Sequence, residues 1–230
     1  MKAMILAAGL GKRMRPLTDS LPKPLLPVAG ATLIEYQIER LVAAGITEVV
    51  INVSYLAEKI RVHLGDGSRY GVAISYSEES IPLETAGAIN RALALLGTEP
   101  FLLVNSDVWC EFALRDLCQL PLKPDQLGHL LMVPNPEFKV RGDFQIDAQG
   151  FLLRCAGSTV GVTFAGISVM RPELIATYPK KREVFALKEV FDWALAQRAL
   201  TAELYCGEWR DIGTPERLAE LQLSIGACQA

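Results

Sequence analysis

Apolar and polar positions change period several times along the chain, and each change marks an element. Met4 to Ala8 is a short unbroken apolar run, which predicts a strand buried on both faces. Over 32–44 the period becomes helical: Leu33, Ile34, Ile38, Leu41 and Val42 share a face, and Gly45 is placed to end the helix. Glu48–Val53 reads as a second buried strand. Ser54 is positioned to cap a short helix carrying Leu56, Ile60 and Leu64. Gly65-Asp66-Gly67-Ser68 is a turn, and Val72, Ile74 and Tyr76 alternate with small or polar residues as in a half-exposed strand. A helix starting at Leu83-Glu84-Thr85-Ala86-Gly87 carries Ile89, Ala92, Leu93 and Leu96 to Gly97. Phe101–Val104 then runs as an apolar strand straight into Asn105-Ser106-Asp107. Strands alternating with helices predict a parallel sheet covered on both faces. Ligands in such sheets bind beyond the carboxyl ends of the strands, so the loops 9–23 and 105–107 are expected to border one crevice.

The second half is less regular. His129–Val133 and Val162–Met170 read as strands, Asp143–Leu153 as a hairpin turned at Ala148-Gln149-Gly150, and Glu183–Arg198 as a helix with Val184, Leu187, Phe191 and Leu195 inward. A strand over Ala202–Cys206 leads to Trp209-Arg210-Asp211-Ile212-Gly213-Thr214-Pro215. There Thr214 is set to cap a last helix that begins at Pro215. No linker or repeat divides the chain. The expected fold is α/β, a Rossmann-like doubly wound and mostly parallel sheet in one three-layer domain over 1–230. It divides near residue 110 into a regular first half, about 1–110, and a less regular second half, about 111–226.

Composition narrows the class. With 230 residues, half of them hydrophobic, the chain can bury a sizeable core. A net charge of −3 argues against a broad nucleic-acid surface but allows a local basic pocket. No apolar run is long enough for a membrane span, and the first strand is interrupted too soon for a signal peptide. Five cysteines, with no Cys-x-x-Cys pair, fit a reduced, cytoplasmic setting better than zinc or a disulfide scaffold. His63 and His129 lie far apart and are read as structural.

The chemistry begins after the first strand. Gly9 and Gly11 let backbone approach a ligand closely, and exposed N–H groups there can face phosphate oxygens. Lys12, Arg13 and Arg15 follow. Lys23 is held between Pro22 and Pro24, each of which restricts its neighbour, so the lysine loses little entropy on meeting an anion. A dinucleotide-binding turn is excluded because Met14 stands where its third glycine belongs, and no Gly-x-x-x-x-Gly-Lys-Ser/Thr run occurs. The run Leu6-Ala7-Ala8-Gly9-Leu10-Gly11-Lys12-Arg13-Met14-Arg15-Pro16-Leu17-Thr18, followed by Pro22-Lys23-Pro24, resembles the opening of the sugar-1-phosphate nucleotidyltransferases. Trp209-x-Asp211-Ile212-Gly213-Thr214-Pro215 resembles their closing signature.

That resemblance implies the nucleotide-diphospho-sugar transferase type of fold and the attack of a sugar 1-phosphate on the α-phosphorus of a nucleoside triphosphate. It implies Mg2+ as cofactor, small-molecule substrates, and neither nucleic acid nor membrane as partner. By the same resemblance Asp107 and Asp211 are the metal ligands, and Arg13 and Lys23 neutralise the phosphates as the catalytic pair. Ala8, Gly9, Gly11, Lys12, Glu84, Thr85 and Gly87 complete the nucleotide site, and Asn105 and Asp143 address the sugar phosphate. Within the family, Gly65–Gly71, Leu103–Trp109, Arg141-Gly142-Asp143-Phe144 and Gly166–Val169 resemble the branch that uridylylates N-acetylmuramate 1-phosphate in cell-wall recycling. Ser106 and Ala86-Gly87-Ala88 replace more glycine-rich stretches of that branch. The Glu-Lys-Pro grip of many hexose-1-phosphate relatives is absent, with Arg154-Cys155-Ala156 in that region. The chain carries no hexapeptide repeat, so a bifunctional acetyltransferase is not expected. Thymidylyl, guanylyl or cytidylyl transfer is the alternative, and a regulatory nucleotide-binding module the non-enzymatic one. Retention of Arg13, Lys23, Asp107 and Asp211 together favours catalysis.

Overall fold

Strand pairing follows the apolar runs. In the computed structural model, which describes residues 1–228, the first half holds β1 (Ala3–Leu6), β2 (Pro27–Val28), β3 (Ala31–Thr32), α1 (Leu33–Ala43), β4 (Glu48–Val53), α2 (Ala57–Leu64), β5 (Ala73–Glu78), α3 (Glu84–Leu96) and β6 (Phe101–Asn105). Next come β7 (Val108–Cys110), α4 (Leu114–Gln119), β8 (Gly128–Val133), β9 (Phe144–Ile146), β10 (Leu152–Arg154), β11 (Thr163–Met170), α5 (Glu173–Ala176), α6 (Leu187–Leu195), β12 (Leu200–Leu204), β13 (Trp209–Asp211) and α7 (Pro215–Cys228).

Seven strands form one sheet in the order β12-β8-β11-β6-β1-β4-β5. Every neighbouring pair is parallel except those made by β11, which runs against β6 and β8. After β1 the chain builds outward through β4 and β5, then returns through α3 to place β6 on the other side of β1. That reversal is the switch point where a crevice must open, between β1 and β6. Side chains alternate across the sheet. Met4 packs with Ile89, Ile175 and Phe191 on one face, while Ala3 and Ile5 pack with Ile34, Ile38 and Ile60 on the other. A smaller cluster of Met14, Leu26, Leu33, Ile212, Leu218 and Leu221 fastens α7 against the segment after β1. Among the described residues no helix is long and apolar enough to cross a membrane.

Most elements stand where the periodicity predicts, and the exceptions have physical causes. α1 starts on a capping box, with the Thr32 hydroxyl accepting from Glu35 N and the Glu35 carboxylate accepting from Thr32 N at 2.8 Å. Ser54 does not cap α2. Its carbonyl closes a turn onto Ala57 N, and Leu56, at φ 53°, precedes the helix instead of joining it. The helix expected over 183–198 is shorter, Leu187–Leu195. Residues 183–185 are drawn out because the Phe185 carbonyl accepts from Ala86 N and Gly87 N, both at 3.1 Å, satisfying first-turn donors of α3 that have no intrahelical partner. In return, the Thr85 hydroxyl accepts from Leu187 N at 2.8 Å at the start of α6. The strand expected at 202–206 is shifted two residues earlier, to Leu200–Leu204, in register with β8.

Candidate active site

Elements at the carboxyl ends of β1, β4, β5 and β6 surround a cleft of about 460 Å³. Ala8, Gly9, Gly11, Lys12 and Lys23 line it from the first loop, Asn105 from the end of β6, Asp107 from the loop after it, and Glu84 and Thr85 from the start of α3. The first loop owes its shape to Gly11. The residue holds φ 60°, a Cβ would stand 2.9 Å from Thr18 Cγ2, and the Thr18 hydroxyl donates to its carbonyl at 2.8 Å. Glu84 also takes a left-handed φ of 59°, uncommon for a residue with a side chain.

Two lining residues that the sequence reading left out hold this floor together. Asn52 Oδ1 accepts from Ala7 N at 2.8 Å, and its Nδ2 donates to Glu79 Oε1 at 2.7 Å. Glu79 Oε2 in turn accepts from Leu83 N at 3.0 Å. Both side chains are buried. Their available signal was position, each lying at or just past the carboxyl end of a parallel strand.

At the cleft mouth the chain brings two distant aspartates together. β7 pairs antiparallel with β13, opposing Val108 to Asp211, and Ile212 N donates to the Asp107 carbonyl at 2.9 Å. Each carboxylate has a cation. Lys23 Nζ lies 2.5 Å from Asp107 Oδ2, with only 11% of the lysine side chain exposed, and Arg217 Nη1 lies 2.6 Å from Asp211 Oδ2. Burial, and then the neighbouring charge of Asp107, push the Asp211 carboxyl up, against the pull of Lys23, Arg217 and Arg13. Arg13 reaches the same place, since a Cβ on Gly213 would meet Asp211 Oδ2 at 2.8 Å and Arg13 Nη1 at 3.2 Å. Two carboxylates that repel each other beside the cleft are oxygen donors of the kind a hard divalent cation takes. Arg217, a further residue absent from the sequence reading, carried no spacing signal.

Arg13 and Asp211 adjoin the cleft at Asp107 without lining it, and Asp143 and Gly87 also lie outside the lining. Asp143 Oδ2 accepts from Phe164 N at 2.9 Å and pairs with Lys139 Nζ at 2.5 Å. Gly87 is buried in α3, where a Cβ would stand 2.5 Å from the Glu183 carbonyl oxygen. Gly87→Ala is therefore expected to lower stability by about 1–3 kcal/mol through overpacking, read as a shift of the denaturant midpoint. An unchanged midpoint would show that the 183–185 segment gives way freely.

Comparison with known proteins agrees with this architecture. The family described as nucleotidyl transferase matches residues 2–140. The chain is 44% identical over 99% of both chains to an N-acetylmuramate alpha-1-phosphate uridylyltransferase of Neisseria meningitidis. It is 35% identical to the enzyme of that name from Caulobacter vibrioides, over 93% of this chain and 92% of the relative. A Bacillus anthracis structure assigned as a glucose-1-phosphate thymidylyltransferase superposes with a TM-score of 0.87 over 97% of this chain and 94% of its own at 21% identity, a likeness of fold. With the family matching more than half of its length, the chain belongs to the nucleotidyl transferase family of enzymes.

Proposed function

We propose that the chain transfers the uridylyl group of UTP to N-acetylmuramate α-1-phosphate, giving UDP-N-acetylmuramate and pyrophosphate, in the cytoplasm and in the service of peptidoglycan recycling. The observation that carries the chemistry is the convergence of Arg13, Lys23, Asp107 and Asp211 at the mouth of one cleft. The substrate pair comes from the relatives' names. An oxygen of the sugar phosphate attacks the α-phosphorus, a new P–O bond forms, and the bond from the α-phosphorus to the pyrophosphate oxygen breaks. Little covalent work falls to the protein, so the rate depends on in-line positioning and on neutralising charge. Main-chain N–H groups of Ala8, Gly9 and Gly11 cradle the triphosphate, with Lys12 alongside. Arg13 holds the departing pyrophosphate and Lys23 faces the charge developing at the α-phosphate. Glu84 and Thr85 line the base. Asn105 and Asp143 hold the sugar phosphate and sugar hydroxyls, so the first half serves the nucleotide and the second the sugar. Asp107 and Asp211 would hold Mg2+, which, when bound, polarises the α-phosphate oxygens and offsets their charge.

The test pairs UTP, dTTP, GTP and CTP with the 1-phosphates of N-acetylmuramate, N-acetylglucosamine, glucose and mannose, read by pyrophosphate release. UTP with N-acetylmuramate 1-phosphate is expected to give the highest kcat/KM. A hexose without the lactyl group as the better substrate would overturn the substrate assignment and leave the family intact.

A further inference from the structure

N-acetylmuramate carries a lactyl ether on O3, and its carboxylate requires a positive partner that neither Asn105 nor Asp143 can provide. We infer that Lys139 is that partner, a specificity residue whose ammonium selects sugar 1-phosphates bearing a carboxylate beside the ring. The inference rests on the substrate reading above.

The loop between β8 and β9 places the lysine. Lys139 Nζ sits 2.5 Å from Asp143 Oδ2, and 37% of the lysine side chain remains open to solvent. An ammonium has three donors, so one engaged by Asp143 leaves two for an incoming carboxylate. The same contact offsets the repulsion that a bare Asp143 would exert on that group. Asp143 is itself fixed to β11 by Phe164 N at 2.9 Å. Two residues along, a Cβ on Gly166 would stand 2.7 Å from Asn105 Nδ2, so one short stretch of β11 seats both sugar candidates. On the other side of the loop, the Arg217 guanidinium lies 3.5 Å from the Phe138 ring centroid while Nη1 of the same arginine holds Asp211. Lys139 therefore sits on Asp143, next in sequence to the Phe138 that covers Arg217, and Arg217 is already committed on both its face and its edge.

The loop is also stiff. Asn135 Nδ2 donates to the carbonyls of Val140 at 3.2 Å and Gly161 at 2.9 Å, and Lys139 N donates to the Pro136 carbonyl at 2.8 Å. Gly142 holds φ 69°, where a Cβ would stand 2.6 Å from Asn135 Oδ1. A cation held this way binds with less ordering cost than a free surface lysine.

The experiment measures kcat/KM for N-acetylmuramate 1-phosphate and for N-acetylglucosamine 1-phosphate, each with UTP, in the wild type, Lys139→Met and Lys139→Arg. Lys139→Met is expected to lower the ratio of the two values by roughly 10-fold or more, the size of a lost charged hydrogen bond, mainly through KM for the muramate substrate. Lys139→Arg should restore most of the ratio. If the wild type prefers N-acetylmuramate 1-phosphate and Lys139→Met keeps that preference within twofold, Lys139 is not the partner and the substrate reading stands. If Lys139→Met lowers both values equally, the lysine only supports Asp143 and the inference fails. If the wild type shows no preference, the substrate reading falls and the inference with it.

Discussion

Asp107→Asn is expected to cut turnover by roughly 10²-fold or more, the loss of several kcal/mol of charge stabilisation, while the protein stays folded. Asparagine keeps the shape and removes the charge that a divalent cation needs. The side chain it replaces sits at the mouth of the cleft, 27% exposed, so no core packing is lost. Asp211→Asn should fall similarly. Its carboxyl is held up by burial and by the charge of Asp107, so neutralising it relieves repulsion even as it weakens the hold on Arg217. The check is turnover against Mg2+ concentration, with a thermal melt on each variant. A right-shifted Mg2+ dependence with an unshifted melt is the expected pair. Near-normal turnover at ordinary Mg2+ in either variant would remove that aspartate from the ligand set.

How far the site can be read from the sequence depends on how local its geometry is. The loop from Ala8 to Lys23 is legible because glycine and proline fix backbone shape at short range. Gly11 at φ 60° and Lys23 between two prolines are determined by their immediate neighbours. The parallel sheet of the first half is equally legible, since strands alternate with helices there, but the order of its strands is not. The meeting of Asp107 and Asp211 is not. It depends on β7 and β13, strands of three residues each, too short to leave a period, joined across half the chain. Lys139 and Arg217 pair with carboxylates only four and six residues away, Asp143 and Asp211, yet neither spacing forms a motif that marks a site. The overextended helix over 183–198 fails differently. Its periodicity is real, but Phe185 gives its carbonyl to the open amides of α3, and that tertiary pairing outweighs local preference. Gly87 is placed in the nucleotide site by its motif, and its surroundings independently demand a glycine for packing against Glu183.

Lys23→Met should reduce turnover by roughly 10²-fold, the scale of losing one preorganised group aimed at developing charge. Lys23 Nζ rests on Asp107 Oδ2, so the lysine and a metal ion bound as proposed would compete for the same carboxylate. Removing the ammonium leaves Asp107 unneutralised, and Mg2+ affinity is then expected to rise as catalysis falls. If Lys23 acts chiefly in the transition state, kcat drops while the UTP dissociation constant changes little. A ground-state phosphate anchor would instead weaken UTP binding and spare kcat. Calorimetric binding of Mg2+ and UTP to Lys23→Met, set beside its kcat, separates the two. Tighter Mg2+ with slow turnover is the expected result. Unchanged turnover with weak UTP binding would reassign Lys23 to substrate capture, and an unchanged Mg2+ affinity would show that its contact with Asp107 does not oppose the metal.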